Sequence, residues 1–368
     1  MSHPILDNRD ICIFPWTRLY ANPQTANTCC QCSRLCHVEF QKSGGPWNGD
    51  TAFWNNSEFI RKRQLMLDRG KAGCGVQCSM LADTETPRQK LAGSYLARTN
   101  KPESLSRLLT EIGDGKTTIE TKPLAIVASF GNICNARCLY CIQRLSHDKK
   151  TLTPLTDMVN LMRFADDAFL IHLIGGEIFA LPRDYLDTVI AEVLRVGAKD
   201  VQTTTNGIGM TPDAYARYCG EGKLSSITVS LQTVDRGLYH YLNGVDAGAT
   251  VLENLRSAAR KNQNHAVKMV QTIVMGPTYR RLGELIDLCA ECRIPTLHLL
   301  PLQTGAITRT NYPEYQIFEP WGYRDGVVEE WLDLLAGYRE QAAHACVTLS
   351  GHGRITTKLE EIARRKRG

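Results

Sequence analysis

From about Pro123 onwards, short apolar runs alternate with segments whose apolar residues recur at helical spacing. Each apolar run is bounded by Gly, Pro or polar residues, a pattern typical of buried parallel strands. The six predicted strands are Leu124–Ser129, Phe169–Ile174, Val201–Thr205, Ser226–Leu231, Val267–Met275 and Leu297–Leu302. The intervening pattern predicts helices, notably Tyr185–Val196, Val251–Asn262 and Leu282–Arg293, and a helix start at Pro212 after Thr211.

Six successive strand–helix units predict an α/β fold, an open and partial (β/α)6 barrel resembling a TIM barrel over residues 123–305. In such a sheet the active site lies at the carboxyl ends of the strands. The segment Val327–Ala345 is amphipathic and predicts a helix packed over the barrel, within a C-terminal helical extension of residues 306–368.

The first hundred residues or so have a different character, with clusters of Pro, Asn, Gly and Cys and few long periodic segments. Ser57–Leu67, followed by Gly70, is the best predicted helix there. We interpret residues 1–100 as a small domain organised by a metal cluster, since a large apolar core is not indicated. The polar segment Thr99–Thr121 predicts a connector, so residues 101–122 are expected to form a linker.

Cysteine content is the informative feature of the composition, with 14 cysteines in 368 residues. Met1–Asp10 lacks the order of a signal peptide, and no run of 18 apolar residues predicts a membrane span. We therefore expect a cytoplasmic protein whose reduced thiols serve metals or catalysis. The net charge of +5 is a mild excess, and neither a nucleic acid nor a membrane is an expected partner.

Three cysteines directly follow the first predicted barrel strand, at CxxxCxxC spacing: Cys134, Cys138 and Cys141. Three thiolates can bind three corners of a [4Fe–4S] cubane and leave the fourth iron for a small molecule that chelates through an amine and a carboxylate. A zinc site is the alternative interpretation, but it needs a fourth ligand, and the nearest histidine, His147, is oddly spaced for that role.

This cysteine motif, with the aromatic Tyr140 before its last member, resembles the radical SAM superfamily. The resemblance implies S-adenosylmethionine as cofactor, which the reduced cluster cleaves to a 5′-deoxyadenosyl radical that abstracts hydrogen from a substrate. Gly175, Gly176 and Glu177 resemble the segment that binds the methionine ammonium group. Further cofactor contacts implied by the resemblance are Thr205, Asn206, Ser230, Gln232 and Leu300. The alternative for these positions is an ordinary strand-end turn or ordinary strand-end polar residues.

The N-terminal cysteines are similar to the twitch or SPASM modules of radical SAM enzymes, which hold an auxiliary [4Fe–4S] cluster. The ligands implied by this resemblance are Cys12, Cys29, Cys74 and Cys78, with Cys30 as the alternative second ligand. In most such enzymes the module follows the barrel, whereas here it precedes it. Cys74 and Cys78 are spaced CxxxC where the pattern has CxxC, and Gln24 stands where it usually has Gly. A zinc site built from the same cysteines is the competing interpretation.

The resemblance implies an enzyme that receives electrons from a flavodoxin- or ferredoxin-like reductase. A ribosomal peptide in natural-product maturation is the first expected substrate. A sugar, aminocyclitol or nucleoside is the alternative. The net reaction is either oxidative or redox-neutral. A different class also stays open, namely an iron–sulfur or zinc protein that binds or carries electrons without radical chemistry.

Overall fold

The apolar runs of the sequence form parallel strands close to their predicted positions. The computed structural model describes residues 4–22, 25–28, 38–39, 51–74, 86–96, 98–141, 150–261, 266–302, 327–353, 355–357 and 360. Its strands are β1 (Arg18–Ala21), β2 (Thr25–Asn27), β3 (Val38–Glu39), β4 (Ala125–Ser129), β5 (Leu170–Ile174), β6 (Asp200–Thr205), β7 (Ser226–Ser230), β8 (Val267–Val274), β9 (Thr296–Pro301) and β10 (Thr348–Ser350). The six predicted strands are β4 to β9, and all six are confirmed.

The predicted helices are confirmed as well, with ends that differ by a few residues. The α-helices are α1 (Phe14–Thr17), α2 (Thr51–Trp54), α3 (Ser57–Arg69), α4 (Pro87–Lys90), α5 (Pro102–Gly113), α6 (Leu155–Phe164), α7 (Arg183–Val196), α8 (Pro212–Tyr218), α9 (Arg236–Asn243), α10 (Gly248–Lys261), α11 (Leu282–Glu291) and α12 (Val327–His344). At the predicted start of α8 the Thr211 side chain accepts a hydrogen bond from the Ala214 amide at 3.3 Å, as an N-cap does. None of these helices combines the length and the apolar character needed to cross a bilayer.

The chain divides into two units, of which the first comprises Met1–Ile133, Lys150–Thr203 and Glu221–Ser225. Within it β4 pairs in parallel with β5, and β5 with β6. The N-terminal strand β1 joins the other edge of β4, also in parallel, with Arg18 opposite Ala125 and Ala21 opposite Ala128. Strands β2 and β3 continue from β1 in antiparallel order. The N-terminal segment therefore extends the parallel sheet of this unit.

The second unit comprises Cys134–Lys149, Thr204–Gly220 and Ser226–Gly368. Strands β7, β8, β9 and β10 pair in parallel in that order. Leu242, Met275 and Leu302 form a fully buried cluster beside the strands. In neither unit do the described strands close into a ring. The α/β class with a parallel sheet is thus confirmed, and it is consistent with a partial barrel.

The segment predicted as a connector contains helix α5, which the sequence interpretation missed. Leu105, Leu108 and Ile112 are buried along one face of this helix. Their spacing of three and four residues is the helical signal. The signal covers only a short stretch, because the helix begins at Pro102 and ends at Gly113. The proposed domain boundaries themselves remain predictions.

Candidate active site

The backbone after β4 is held by the segment that follows the cysteine loop. The Asn132 amide donates to the Thr151 carbonyl at 3.1 Å, and the Thr153 amide donates to the Phe130 carbonyl at 2.9 Å. Gly131 lies between them with φ +111°, and a Cβ there would lie 2.2 Å from the Thr151 oxygen. Glycine is required at this position, and the pairing fixes where the loop leaves the sheet.

Gly175 and Gly176, which follow β5, lie against this same exit from β4. Gly176 has φ +49°, and a Cβ on it would lie 2.0 Å from the Ile133 carbonyl oxygen. The Glu177 amide donates to that oxygen at 2.7 Å. The glycines therefore let the backbone of the predicted cofactor segment pack closely against Ile133.

The Glu177 carboxylate is buried, with a relative exposure of 1%. It begins the short 3₁₀ turn Ile178–Ala180, and its Oε1 accepts a hydrogen bond from the Phe179 amide at 3.1 Å. A buried carboxylate needs polar partners, and an ammonium group is a suitable one. Its predicted contact with the methionine ammonium group stays a prediction.

The cysteine loop itself, in the second unit, is fastened to the C-terminal end of α9. The Arg137 amide donates to the Asn243 carbonyl and the Leu139 amide to the Leu242 carbonyl, both at 2.9 Å. These two donors flank Cys138. They also satisfy carbonyls that a helix leaves without partners at its end. Cys138 is therefore positioned by the backbone on both of its sides.

Gly244 ends α9 in the left-handed conformation, with φ +67°. A Cβ at this position would lie 3.1 Å from both the carbonyl oxygen and the Cβ of Arg137. The glycine thus serves two purposes, since it terminates the helix and lets the cysteine loop pack against its end.

The Asn243 side chain, 5% exposed, contacts two residues of the loop at once. Its Oδ1 accepts hydrogen bonds from the Tyr140 hydroxyl at 2.7 Å and from the Cys138 thiol at 3.2 Å. Its Nδ2 donates to the Tyr239 carbonyl at 3.0 Å. The sequence interpretation missed Asn243. The Asn-Gly pair at positions 243 and 244 is the signal that was present, but it indicates only a helix C-cap or a turn and does not reveal the contact with the loop.

Tyr140 is half-buried and packs against the buried cluster of Leu242, Met275 and Leu302. Burial raises the pKa of its hydroxyl well above the usual value, and the proximity of Cys138 raises it further. Gln232 lies within hydrogen-bonding reach of that hydroxyl.

Gln232 is 1% exposed, and its side chain bridges β7 and β8. Its Oε1 accepts hydrogen bonds from the Ile273 amide at 2.7 Å and the Thr272 hydroxyl at 3.1 Å. Its Nε2 donates to Ser230 at 3.2 Å. The structure therefore brings the predicted residues Tyr140, Ser230 and Gln232 together. Leu300 is half-buried on β9, where it pairs with Ile273 of β8.

Cys134 is contacted by Asn206, another residue singled out by the sequence. The Asn206 amide nitrogen lies 3.7 Å from the Cys134 sulfur and donates to Asn135 Oδ1 at 2.7 Å. The Ala136 amide donates to the same sulfur at 3.4 Å. Thr205, at 2% exposure, accepts from the Gly207 amide at 3.0 Å and shapes the turn. Hydrogen bonds of this kind stabilise a thiolate, the form in which cysteine binds iron.

The three loop cysteines are all half-buried. Burial raises the pKa of the Cys138 thiol to about 12, so binding a metal there must release a proton. In the described part of the chain no three Cys, His, Asp or Glu side chains are placed to hold one metal ion. A cubane does not require that convergence, because each of its thiolates binds a different iron atom. The donor set of three thiols on one anchored loop thus fits a [4Fe–4S] cluster better than a single ion.

Two of the predicted auxiliary ligands lie on neighbouring segments of the first unit. Half-buried Cys12 donates its amide to Met66 Sδ at 3.3 Å, while Cys74 ends a 3₁₀ turn that begins at Gly70. The Lys71 amide of that turn donates to the Asp10 carbonyl at 2.6 Å, which joins the two segments. The other predicted auxiliary ligands lie outside the described residues: Cys29, Cys30 and Cys78.

The described residues thus combine an α/β fold that has a parallel sheet with three cysteines on the loop that follows β4. Residues 128–289 match the model of the radical SAM superfamily. Over these residues the chain is therefore similar to the radical SAM superfamily, whose members use S-adenosylmethionine together with a [4Fe–4S] cluster.

Curated relatives agree over about half of the chain. A probable GTP 3′,8-cyclase of Sulfurisphaera tokodaii is 24% identical over 190 residues, which are 51% of this chain and 59% of the relative. GTP 3′,8-cyclase 2 of Mycobacterium bovis is 28% identical over 223 residues, 54% of this chain and 59% of the relative. The GTP 3′,8-cyclase of Psychromonas ingrahamii is 29% identical over 138 residues, 36% and 39% respectively. The chain thus spans little more than half the length of these relatives at most.

Among solved structures, Streptococcus suis SuiB bound to S-adenosylmethionine is similar in fold, with a TM-score of 0.50 and 15% identity. The match covers 78% of this chain and 60% of SuiB. A second crystal structure of SuiB matches equally, with a TM-score of 0.50 and 16% identity over 80% of this chain and 64% of SuiB. These matches support the partial barrel as the fold.

Proposed function

We propose that this chain is a radical SAM enzyme that reductively cleaves S-adenosylmethionine and abstracts hydrogen from an organic substrate. The observation that carries the proposal is the anchored cysteine loop within the matched domain, in which α9 fixes the backbone on both sides of Cys138. When bound, the reduced cluster would supply one electron to the sulfonium of the cofactor, whose carbon–sulfur bond would break to give methionine and a reactive carbon radical.

The chain's own residues hold and orient these groups. Cys134, Cys138 and Cys141 supply the thiolates. Asn206 donates a hydrogen bond towards the Cys134 sulfur, and Tyr140 with Asn243 surrounds Cys138. Glu177 is the proposed partner of the cofactor's ammonium group, because a buried carboxylate stabilises a cation that replaces its lost hydration.

A peptide is the first substrate we propose. What supports it is the cysteine-rich N-terminal segment, which resembles modules common among peptide-modifying radical SAM enzymes. A flavodoxin- or ferredoxin-like reductase is the proposed electron source. A neighbouring reading frame for a short precursor peptide would identify the substrate to be tested.

A nucleotide is the second candidate, favoured by a different observation. The curated relatives that match this domain are named for an action on GTP. Anaerobic incubation with GTP distinguishes the candidates, because a nucleotide substrate is consumed in step with 5′-deoxyadenosine formation. Unchanged GTP in the presence of active enzyme would exclude this nucleotide and leave the peptide.

The experiment that tests the function is anaerobic reconstitution with iron and sulfide, followed by dithionite and S-adenosylmethionine. We expect 5′-deoxyadenosine from the wild type and at least a hundredfold less from Cys138→Ala, because each loop cysteine binds a separate iron. Undiminished product from Cys138→Ala would contradict the assignment. Iron and sulfide counts on the same samples test the proposed auxiliary cluster, since a Cys74→Ala/Cys78→Ala variant should lose about half of its iron; an unchanged count would reject that cluster.

A further inference from the structure

Cys138 shares a hydrogen-bond acceptor with a tyrosine two residues away. Its thiol and the Tyr140 hydroxyl both donate to Asn243 Oδ1, at 3.2 and 2.7 Å. Because both groups contact this one oxygen, the Tyr140 hydroxyl lies on the same side of Asn243 as the Cys138 sulfur. Hydroxyl, sulfur and carbonyl oxygen therefore form a compact triangle around one proposed iron ligand.

Asn243 is oriented by contacts that do not involve the loop side chains. Its Nδ2 donates to the Tyr239 carbonyl one turn earlier in α9, and its own carbonyl accepts from the Arg137 amide. Rotating the side-chain amide by 180° would place Oδ1 next to the Tyr239 carbonyl oxygen, and two hydrogen-bond acceptors repel each other. Oδ1 is thereby held on the side of Cys138 and Tyr140.

Tyr140 is held just as firmly. Its ring packs against Leu242, Met275 and Leu302, while Gln232, itself fixed by the Ile273 amide, stands beside the hydroxyl. Phenylalanine would satisfy the apolar contacts equally well. The hydroxyl is therefore the part of this side chain that packing does not explain.

Iron binding changes what this triangle does. As an iron ligand Cys138 is a thiolate and has no proton to donate, so the negative end of the Asn243 amide faces a negatively charged sulfur. The Tyr140 hydroxyl can rotate about its C–O bond and direct its proton either to Asn243 Oδ1 or to the sulfur. Adding an electron to the cluster increases the negative charge on the sulfur, so it strengthens the hydrogen bond from the Tyr140 hydroxyl to the sulfur.

We propose that Tyr140 and Asn243 set the reduction potential of the cluster through Cys138, acting in opposite directions. The hydroxyl stabilises the reduced cluster and raises the potential, whereas Asn243 Oδ1 opposes the added charge and competes for the same proton. Hydrogen bonds to cluster sulfurs are an established means of tuning such potentials. The inference rests on the proposed function, since it requires Cys138 to bind the cluster.

The test is an anaerobic potentiometric titration of the reconstituted protein, in which the EPR signal of the reduced cluster is measured at each potential. Tyr140→Phe should lower the midpoint potential and Asn243→Leu should raise it. Each shift should correspond to a change of up to about tenfold in the reduction equilibrium, which is about 59 mV for one electron. Tyr215→Phe is the matched control, because the Tyr215 hydroxyl instead accepts from the Ala266 amide at 2.7 Å, and it should leave the potential unchanged.

A second Asn243 variant covers the case in which leucine prevents folding or iron binding. Asn243→Asp keeps the shape of the side chain but places a full negative charge beside the sulfur, so it should lower the potential. Shifts of Tyr140→Phe and Asn243→Leu in the same direction, or a Tyr140→Phe potential equal to wild type at full iron content, would overturn the inference while leaving the proposed function intact. Wild-type protein that binds no iron at Cys134, Cys138 and Cys141 would overturn both.

Discussion

Arg63 on α3 carries the sharpest prediction about the stability of the N-terminal region. Its guanidinium is completely buried, with a relative exposure of 0%. It donates at 2.8 to 3.0 Å to four acceptors, which are the carbonyls of Pro15, Trp54 and Thr117 and Oδ1 of Asn55. These acceptors come from three separate segments of the first unit, so one side chain ties together parts of the chain that are far apart in sequence.

Replacing Arg63 by methionine keeps most of the aliphatic volume and removes every donor. Asn55 Oδ1 retains the Ile119 amide at 3.0 Å, so three buried carbonyls are left without this partner. Each orphaned acceptor costs about 1 to 3 kcal/mol. Removing a buried charge offsets part of that cost, since burial lowers the pKa of Arg63 to about 9 and the nearby Glu111 only partly opposes the effect. We expect a net destabilisation of about 3 to 5 kcal/mol.

The assay is urea unfolding of the metal-free protein followed by tryptophan fluorescence. Trp54 is a local reporter, because its ring lies 4.6 Å from the guanidinium carbon of Arg63. Arg61→Met on the same helix is the matched control. Arg61 is 55% exposed and pairs with Glu58 at the surface, so its loss should cost less than about 0.5 kcal/mol. If the free energies of unfolding of Arg63→Met and Arg61→Met differ by less than about 0.5 kcal/mol, the hydrogen bonds of Arg63 do not hold this region together.

Two further substitutions test the glycine turn and a buried histidine. Gly176→Ala should lower 5′-deoxyadenosine formation by about tenfold or more, because its Cβ would lie 2.0 Å from the Ile133 oxygen. The control is Gly197→Ala, since Gly197 also has a positive φ, +65°, but has open space around it. This control should lose about 1 kcal/mol of stability and keep its activity. Burial, together with the nearby Arg18, lowers the pKa of His172 from 6.5 to about 4. As the pH falls, the unfolded chain therefore takes up a proton at this histidine before the folded chain does. The free energy of unfolding should thus decrease by up to about 3 kcal/mol between pH 6.5 and pH 4. The unfolding temperature should therefore depend less on pH between pH 7 and 5 in His172→Gln than in the wild type, whereas His344→Gln should behave like the wild type. Equal pH dependence of the unfolding temperature in His172→Gln and the wild type would refute the assignment.

The six inner strands were predictable because each is a short run rich in apolar or β-branched residues that is bounded by Gly, Pro or polar residues. Strand β4 is buried at all five of its positions, which a sequence pattern reports directly. The cysteine spacing is also a local signal, because Cys134, Cys138 and Cys141 lie close enough in the sequence to share one short loop. Local sequence carries both signals.

Strands β1 and β10 were missed because their partners lie far away in the sequence. Arg18–Ala21 has only four residues, and it is a strand because β4, more than a hundred residues later, offers an open parallel edge. The three residues of β10 likewise depend on β9. Segments this short have no periodicity of their own, so pairing alone defines them.

By itself the sequence determined the class of fold, the candidate thiol donors and the glycines that permit close backbone approach. Only the tertiary structure decided which groups surround those donors. Asn243 lies 105 residues from Cys138, and no local pattern shows that its amide oxygen accepts from that thiol. The physical reason is that ligand identity follows from residue type and spacing, whereas the hydrogen bonds that tune a ligand follow from how distant elements pack.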